Sequence, residues 1–134
     1  AQVQALAASR GTAVIWITND LSVVSGLADR IAVMYGGRIV EEGPTATALG
    51  VPAHPYTRAL LCSLPSQNEP GQPLAQIQGA PPRLIGERVG CAFAPRCAQA
   101  VARCGTADPM PIRASGRMAR CHFAFESPLE AQPS

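Results

Sequence analysis

The sequence predicts an α/β protein whose second half is irregular. Residues 13–18 form a continuous β-branched apolar run, which is typical of a strand buried on both faces of a parallel sheet. Two further apolar stretches flank Gly36-Gly37, and most of the 13 prolines follow Pro65. At 134 residues and 47% apolar content, the chain can form the end of one domain and a small appendage. We therefore expect two units, residues 1–64 and 65–134.

The first part of the chain carries helix signals on both sides of the apolar run. Residues 1–9 lack breakers and precede Arg10-Gly11, so they predict the end of a helix. The strand at 13–18 needs sheet neighbours that this chain does not supply. Asn19 and Asp20 are both suited to cap a helix over residues 21–28, with Leu21, Val24 and Leu27 or Ala28 on one face.

A hairpin, two helical segments and a short strand follow. Residues 30–35 and 38–42 predict strands joined by the Gly36-Gly37 turn. Thr45 is expected to cap a helical turn, and Pro55 is expected to start a helix that runs to Leu64. Residues 74–78 alternate and predict a short strand. Residues 90–122 contain too few apolar side chains to fold without a cross-link.

Charge and hydropathy limit the classes of function. The formal net charge is only +2, and all eleven basic residues are arginines, so electrostatics favours no nucleic-acid partner. We interpret the arginines of the last third as a solvated surface, although a small nucleic-acid binder remains an alternative, tested by salt-sensitive binding. They are Arg83, Arg88, Arg96, Arg103, Arg113, Arg117 and Arg120.

The expected compartment is the reducing cytoplasm. The sequence has no apolar run of eighteen residues and no pattern of an export signal at its start. Four cysteines cluster in residues 91–121. In a reducing compartment, clustered cysteines indicate metal ligands rather than a disulfide framework.

Three consecutive segments resemble the end of an ABC-type nucleotide-binding domain. They are Val14-Ile15-Trp16-Ile17-Thr18-Asn19-Asp20-Leu21, Ala28-Asp29-Arg30-Ile31-Ala32-Val33-Met34-Tyr35 and Gly37-Arg38-Ile39-Val40-Glu41-Glu42-Gly43. In that family the strand leads into a switch loop, a helix follows, and a hairpin closes the catalytic core. Residues 52–61, Pro-Ala-His-Pro-Tyr-Thr-Arg-Ala-Leu-Leu, are similar to a stretch of the oligopeptide and dipeptide importer branch. That branch continues into a cysteine-containing C-terminal region.

The resemblance implies that the parent protein is the ATP-hydrolysing subunit of an importer. The chain contains neither a phosphate loop, since it has no lysine, nor the Leu-Ser-Gly-Gly signature or the catalytic carboxylate of the preceding strand. We therefore interpret the chain as a fragment that cannot hydrolyse ATP alone. The intact subunit would bind ATP and Mg²⁺.

The resemblance also implies partners and a location. The partners would be a second ATP-binding subunit, two transmembrane permease subunits and, indirectly, an extracytoplasmic peptide-binding protein. The subunit would be peripheral on the cytoplasmic face of the inner membrane. Alternatives are the same machine importing nickel or another small solute, and a free-standing zinc or iron-sulfur adaptor without ATPase activity.

Asn19 is the candidate catalytic residue. It occupies the switch-loop position where the family usually has a histidine that contacts the γ-phosphate and the attacking water. An asparagine donates a hydrogen bond but neither carries positive charge nor relays a proton, so we expect impaired phosphoryl transfer. A natural degenerate site, an engineered substitution and a plain helix cap all stay open.

His54, Tyr56 and Cys62 are interpreted as structural residues. Pro55 fixes the backbone at a helix start, and Tyr56 is expected to pack against the core. Cys62 lies on an apolar helix and is expected to be a small buried hydrophobic residue.

Cys91, Cys97, Cys104 and Cys121 are the candidate metal ligands. Five, six and sixteen residues separate these cysteines. This spacing matches neither the paired cysteines of zinc ribbons nor the closely spaced cysteines of bacterial ferredoxins. The resemblance implies a 4Fe-4S cluster, whose negative charge Arg96, Arg103 and Arg120 would offset. Zinc held by four cysteines, or by three and His122, and two disulfides are the alternatives. In each metal case we expect a structural role, with the metal replacing a missing apolar core.

Overall fold

The computed structural model describes residues 2–126. The first helix, α1, spans Gln2–Arg10, and the second, α2, spans Leu21–Leu27. The carboxylate of Asp20 caps α2 by accepting the amide of Ser22 at 2.9 Å. The capping residue is thus Asp20, and the expectation that Asn19 shares this role is wrong.

Residues 13–18 form neither a strand nor a helix. Ile15 and Ile17 are 91% and 93% exposed, so the prediction of a buried parallel strand is wrong for this chain. A parallel strand is stable only when neighbouring strands satisfy its backbone and cover its side chains. The described residues supply no such neighbour, and the apolar run stays open to solvent.

The sheet has four antiparallel strands in the order β1-β2-β4-β3. The strands are β1 (Arg30–Tyr35), β2 (Arg38–Pro44), β3 (Ile112–Ala114) and β4 (Arg117–Ala119). Strands β1 and β2 form the predicted hairpin, and both turn glycines have positive φ, as the tight turn requires. A register shift at Val33 and Met34 leaves Val40 as an extra residue on β2.

Three further helices and two short 3-10 helices connect these strands. They are α3 (Thr45–Gly50), α4 (Pro55–Cys62), α5 (Ala102–Thr106) and the 3-10 helices Pro65–Gln67 and Ala94–Arg96. Pro44, rather than Thr45, is the N-cap residue of α3, and α4 ends two residues earlier than expected. Residues 74–78 form no strand, since they pair with no other strand. None of the helices within residues 2–126 has the length and apolar character needed to span a membrane.

The core lies on one face of the β1-β2 hairpin. Its buried residues are Ile31, Val33, Tyr35, Val40, Ala48 and Phe93. Half-buried Val24, Tyr56 and Cys97 pack against them. The sheet and this core draw on residues from both sides of Pro65, because β4 pairs with β2 and Phe93 lies against Tyr35. The division into residues 1–64 and 65–134 stays a prediction.

Candidate functional site

The four predicted ligand cysteines line one small cavity. Cys91, Cys97, Cys104 and Cys121 form its wall together with His54, His122 and apolar side chains that include Phe93. Cys104 is buried, and the other three cysteines are half-buried. All four are free thiols. The tertiary structure thus gathers thiols that are up to 30 positions apart in the sequence.

Gly90 makes the close approach of Cys91 and Cys104 possible. The amide of Cys91 donates to the carbonyl of Cys104 at 2.7 Å. A Cβ atom on Gly90 would lie 2.5 Å from that carbonyl oxygen and 2.6 Å from the carbonyl carbon of Gly105. Gly90 also has a φ of +76°, a conformation that side-chain-bearing residues rarely adopt. Only glycine therefore fits here without displacing the backbone.

A tight turn brings Cys97 to the same cavity. The amide of Ala94 donates to the carbonyl of Cys91, and the amide of Cys97 donates to the carbonyl of Ala94. Phe93 anchors the turn, because its buried ring contacts Tyr35, Tyr56 and His54 at centroid distances of 5.2, 5.4 and 6.0 Å. The apolar core thus holds the cysteine-bearing turn.

Cys121 reaches the cavity from the end of β4. The amide of Arg120 donates to the carbonyl of Val40 at 2.8 Å, which extends the pairing of β4 and β2 by one residue. Burial raises the pKa of the Cys121 thiol, and charge on Cys91, Cys97 and Cys104 would raise it further. The end of β4 thus brings the fourth thiol to the cavity.

The four thiols around the cavity are not arranged as a ready-made metal site. Within residues 2–126, no three His, Cys, Asp or Glu side chains are arranged to hold one metal ion. The thiols of a four-iron cluster each bind a different iron atom, so they need not converge on one point. Burial raises the pKa of the Cys91 and Cys97 thiols as well, so metal uptake must release their protons. Thiolates are soft ligands of the kind that iron-sulfur clusters use.

Glu41 is a buried residue of this region that sequence reasoning missed. Its carboxylate has no exposed surface and accepts the amides of Ala53 and His54 at 2.9 and 3.0 Å. The guanidinium of Arg117 lies 3.0 Å from it and also donates to the carbonyl of Val51. Glu41 thereby joins the segment before α4 to strand β4. The sequence signal for this role is a glutamate within the predicted strand at residues 38–42.

His54 has a structural role, as predicted, but a more specific one than expected. It is only 1% exposed, and its Nδ1 caps α4 by accepting the amide of Tyr56 at 3.0 Å. Burial lowers the pKa of His54 to about 4, although the charge of Glu41 and the nearby backbone of Arg120 both favour protonation. The imidazole is therefore neutral near pH 7.

Three arginines of the last third cross-link backbone that has no regular structure. Arg96 donates to the carbonyls of Ile77 and Gln78 and to the hydroxyl of Tyr35. Arg88 donates to the carbonyl of Gly36 at 2.6 Å. With Arg117, they satisfy acceptors inside the fold, so the expectation of a purely solvated arginine surface is wrong for these three.

The other predicted residues lie outside the cysteine cavity. Asn19 is exposed at a bend before α2, in a part of the chain that the cavity does not include. Tyr56 packs against the core, which confirms its expected role. Cys62 is exposed on α4, so the expectation that it is buried is wrong. It is the last residue of α4.

Comparisons with known proteins find similarity to peptide transport ATP-binding proteins. Residues 40–104 match the family described as "Oligopeptide/dipeptide transporter, C-terminal region". The chain is 40% identical over 118 residues to the oligopeptide transport ATP-binding protein OppD of Salmonella typhimurium. It is 37% identical over 115 residues to the dipeptide transport ATP-binding protein DppD of Escherichia coli. The DppD protein of Haemophilus influenzae is 40% identical over 121 residues.

These alignments cover most of this chain but a minor part of each relative. They include 88%, 85% and 88% of the chain, and 35%, 35% and 37% of the three relatives. The chain therefore spans about a third of the length of the curated relatives that it matches. The similarities support a relationship to the C-terminal part of oligopeptide and dipeptide transport ATP-binding proteins.

Proposed function

We propose that this chain is the C-terminal part of the energy-coupling, ATP-binding subunit of an oligopeptide or dipeptide ABC importer. The observation that carries this proposal is the 40% identity to an oligopeptide transport ATP-binding protein over 88% of the chain. The match of residues 40–104 to the transporter C-terminal region supports it independently of any single relative. In the intact subunit, ATP and Mg²⁺ would bind mainly to residues outside this chain.

The assembled importer would contain the partners that the resemblance implies. The subunit would pair with a second ATP-binding subunit under two transmembrane permease subunits, at the cytoplasmic face of the inner membrane. A peptide-binding protein outside the membrane would deliver substrate. The exposed residues 13–18 support the proposal, because an apolar run of this kind requires sheet neighbours from additional chain.

Uptake by cells tests the transport proposal. Deletion of the gene should abolish uptake of a radiolabelled tripeptide or dipeptide, and the restored gene should recover it. Unchanged peptide uptake with loss of nickel uptake would favour the alternative importer. Unchanged uptake of every solute, together with a gene that encodes no phosphate loop before residue 1, would favour a free-standing adaptor.

Asn19 is proposed to lie in the switch loop of the intact subunit. Its exposure here is consistent with contacts to a nucleotide held by other parts of the assembly. In the assembled importer with the partner ATP site inactivated, Asn19→His should raise the rate of ATP hydrolysis, because imidazole adds the missing γ-phosphate contact. An unchanged rate would refute a role of Asn19 in hydrolysis.

We further propose that Cys91, Cys97, Cys104 and Cys121 hold a 4Fe-4S cluster. Support comes from the four thiols that line one shared cavity. The cluster would supply cross-links between the turn at residues 91–97, helix α5 and the end of β4. These segments carry little apolar surface of their own, so the proposed role is structural.

Metal analysis of anaerobically purified chain tests this site. The expected result is iron and acid-labile sulfide in equal amounts, in a brown protein. Replacing each of the four cysteines by serine should lower the iron content, because a hydroxyl is a harder ligand. Cys62→Ser is the matched control, since Cys62 is exposed and outside the cavity. One zinc without iron would establish the zinc alternative, with His122 as a ligand if His122→Ala loses the zinc and with four cysteine ligands if it does not.

A further inference from the structure

The residues on both sides of Cys121 are hydrogen-bonded to other elements. Before it, the amide of Arg120 donates to the carbonyl of Val40 on β2 at 2.8 Å. After it, the imidazole Nε2 of His122 lies 2.9 Å from the carbonyl oxygen of Ala107. A carbonyl oxygen can only accept, so Nε2 carries a proton and donates this hydrogen bond. Cys121 is therefore held between strand β2 and the residue that follows helix α5.

Ala107 connects this hydrogen bond to the cysteine on α5. Cys104 is the middle residue of that helix and is buried. The amide of Ala107 donates to the carbonyl of Arg103 at 3.0 Å and closes the last turn of the helix. The carbonyl of Ala107 accepts the hydrogen bond from His122, 15 positions away in the sequence. The backbone around Ala107 thus joins His122 to the helix that carries Cys104.

The residue after Ala107 is bound to strand β2. The carboxylate of Asp108 accepts a hydrogen bond from the guanidinium of Arg38, which lies on β2. Strand β2, the segment around Cys121 and the end of α5 therefore form a closed ring of contacts. Within this ring, the hydrogen bond of His122 is the link that joins Cys121 to α5.

We propose that His122 is a positioning residue for the cysteine site, and that its Nε2–H holds Cys121 in place relative to Cys104 through the carbonyl of Ala107. The inference deepens the proposed cluster site and rests on it. His122 borders the same cavity as the thiols. A metal on Nε2 would have to break the hydrogen bond to Ala107, so the geometry favours a positioning role over a ligand role.

Two substitutions separate the hydrogen bond from the bulk of the side chain. In His122→Gln, the side-chain amide nitrogen takes the place of Nε2 and keeps a donor for the Ala107 carbonyl. His122→Leu keeps a side chain of similar size but offers no donor. The Gln variant also distinguishes a positioning residue from a ligand, because the side chains that bind zinc are those of Cys, His, Asp and Glu.

The first measurement uses the full metal-free chain under anaerobic conditions. The rate of iodoacetamide alkylation at each cysteine is measured by mass spectrometry, at a temperature where circular dichroism shows a folded protein. His122→Leu should raise the rate at Cys121 about fivefold, the factor that corresponds to the net loss of one hydrogen bond. His122→Gln should leave that rate near the wild-type value. Cys97, in a turn closed by its own backbone hydrogen bonds, and the exposed Cys62 are the internal references.

The alkylation rates decide the inference. A wild-type rate at Cys121 in His122→Leu would overturn it, and so would an equal increase in both variants. An equal increase at Cys97 would also overturn it, because the whole site would then have loosened. If His122→Leu does not fold, His122→Gln decides, since a wild-type rate at Cys121 supports the inference and an increased rate refutes it.

The second measurement reconstitutes the chain with iron and sulfide and follows iron loss to a chelator. Iron loss should be about fivefold faster in His122→Leu than in the wild type or His122→Gln, by the same loss of one hydrogen bond. Equally fast loss from both variants would overturn the inference and assign His122 as a ligand. A wild-type chain that takes up no iron or sulfide would refute the cluster, while the alkylation rates would still decide the role of His122.

Discussion

Glu41 and Arg117 lie 3.0 Å apart, although 76 positions separate them in the sequence. The Glu41 carboxylate is fully buried, and the Arg117 side chain is nearly so. A buried pair of this kind costs much to break, because one uncompensated charge is left behind. The contact therefore makes the β1-β2 hairpin and the cysteine-bearing region depend on each other for stability.

Arg117→Met should lower the free energy of unfolding by roughly 3–5 kcal/mol, because it leaves the charge of Glu41 unpaired. Adding Glu41→Gln to this variant should restore part of the loss, since the buried group is then neutral. Urea denaturation measures both changes. The exposed pair Arg30–Glu42 is the control, and Arg30→Met should cost at most about 1 kcal/mol. Equal destabilisation by Glu41→Gln in the wild type and in Arg117→Met would contradict this account.

The buried imidazole of His54 should make stability depend on pH. Burial lowers the pKa of His54 from 6.5 to about 4, so the folded protein binds fewer protons than the unfolded chain between these values. Stability should be fully retained above pH 6.5 and should fall by roughly 3 kcal/mol as the pH decreases to about 4. Denaturation at pH 7.5 and pH 5 measures the slope. His54→Asn should lack this component, and an identical slope in both proteins would refute the assignment.

Gly90→Ala should disrupt the cysteine site. The new Cβ atom would lie 2.5 Å from the carbonyl oxygen of Cys104, so the backbone must move in addition to adopting a strained φ. Gly86→Ala is a matched control, because Gly86 also has a positive φ but has no atoms within 4 Å of the added Cβ. We expect a loss of about 1–3 kcal/mol for Gly86→Ala and about 2 kcal/mol more for Gly90→Ala. Thermal unfolding and iron uptake should both distinguish the two variants.

Thr57→Val should leave stability unchanged or increase it by up to about 1 kcal/mol. The hydroxyl of Thr57 is fully buried and has no hydrogen-bond partner, so its replacement by a methyl group removes an unpaired polar atom. Thr57→Ser keeps the hydroxyl and deletes a buried methyl group, so it should cost about 1 kcal/mol. A more stable Ser variant than Val variant would show that the hydroxyl has a partner in solution.

The local signals of the sequence predicted most of the regular elements within residues 2–126. Gly36-Gly37 predicted the hairpin, Pro55 predicted the start of α4, and the face of Leu21, Val24 and Leu27 is half-buried as expected. Such signals act over a few residues, through turn geometry, proline φ and side-chain periodicity. Predictions made from these signals therefore do not depend on distant parts of the chain.

The apolar run at residues 13–18 shows where local signals are insufficient. Its β-branched residues favour a strand, but strand formation requires partners for the backbone, and Ile15 and Ile17 remain exposed. The sequence could thus identify the segment as suited to a sheet. Whether residues 13–18 form a strand depends on partner strands, which the local sequence does not provide.

The sequence by itself determined which residues were available for a metal site, since four cysteines in a Pro-rich region are visible without a structure. Only the tertiary structure decided that the four thiols and His54 share one cavity, that Glu41 accepts the amide of His54, and that arginines bind backbone carbonyls. These relationships join residues across separations such as the 76 positions between Glu41 and Arg117. Long-range contacts of this kind depend on how the whole chain packs, because each requires both partners to be buried and oriented together.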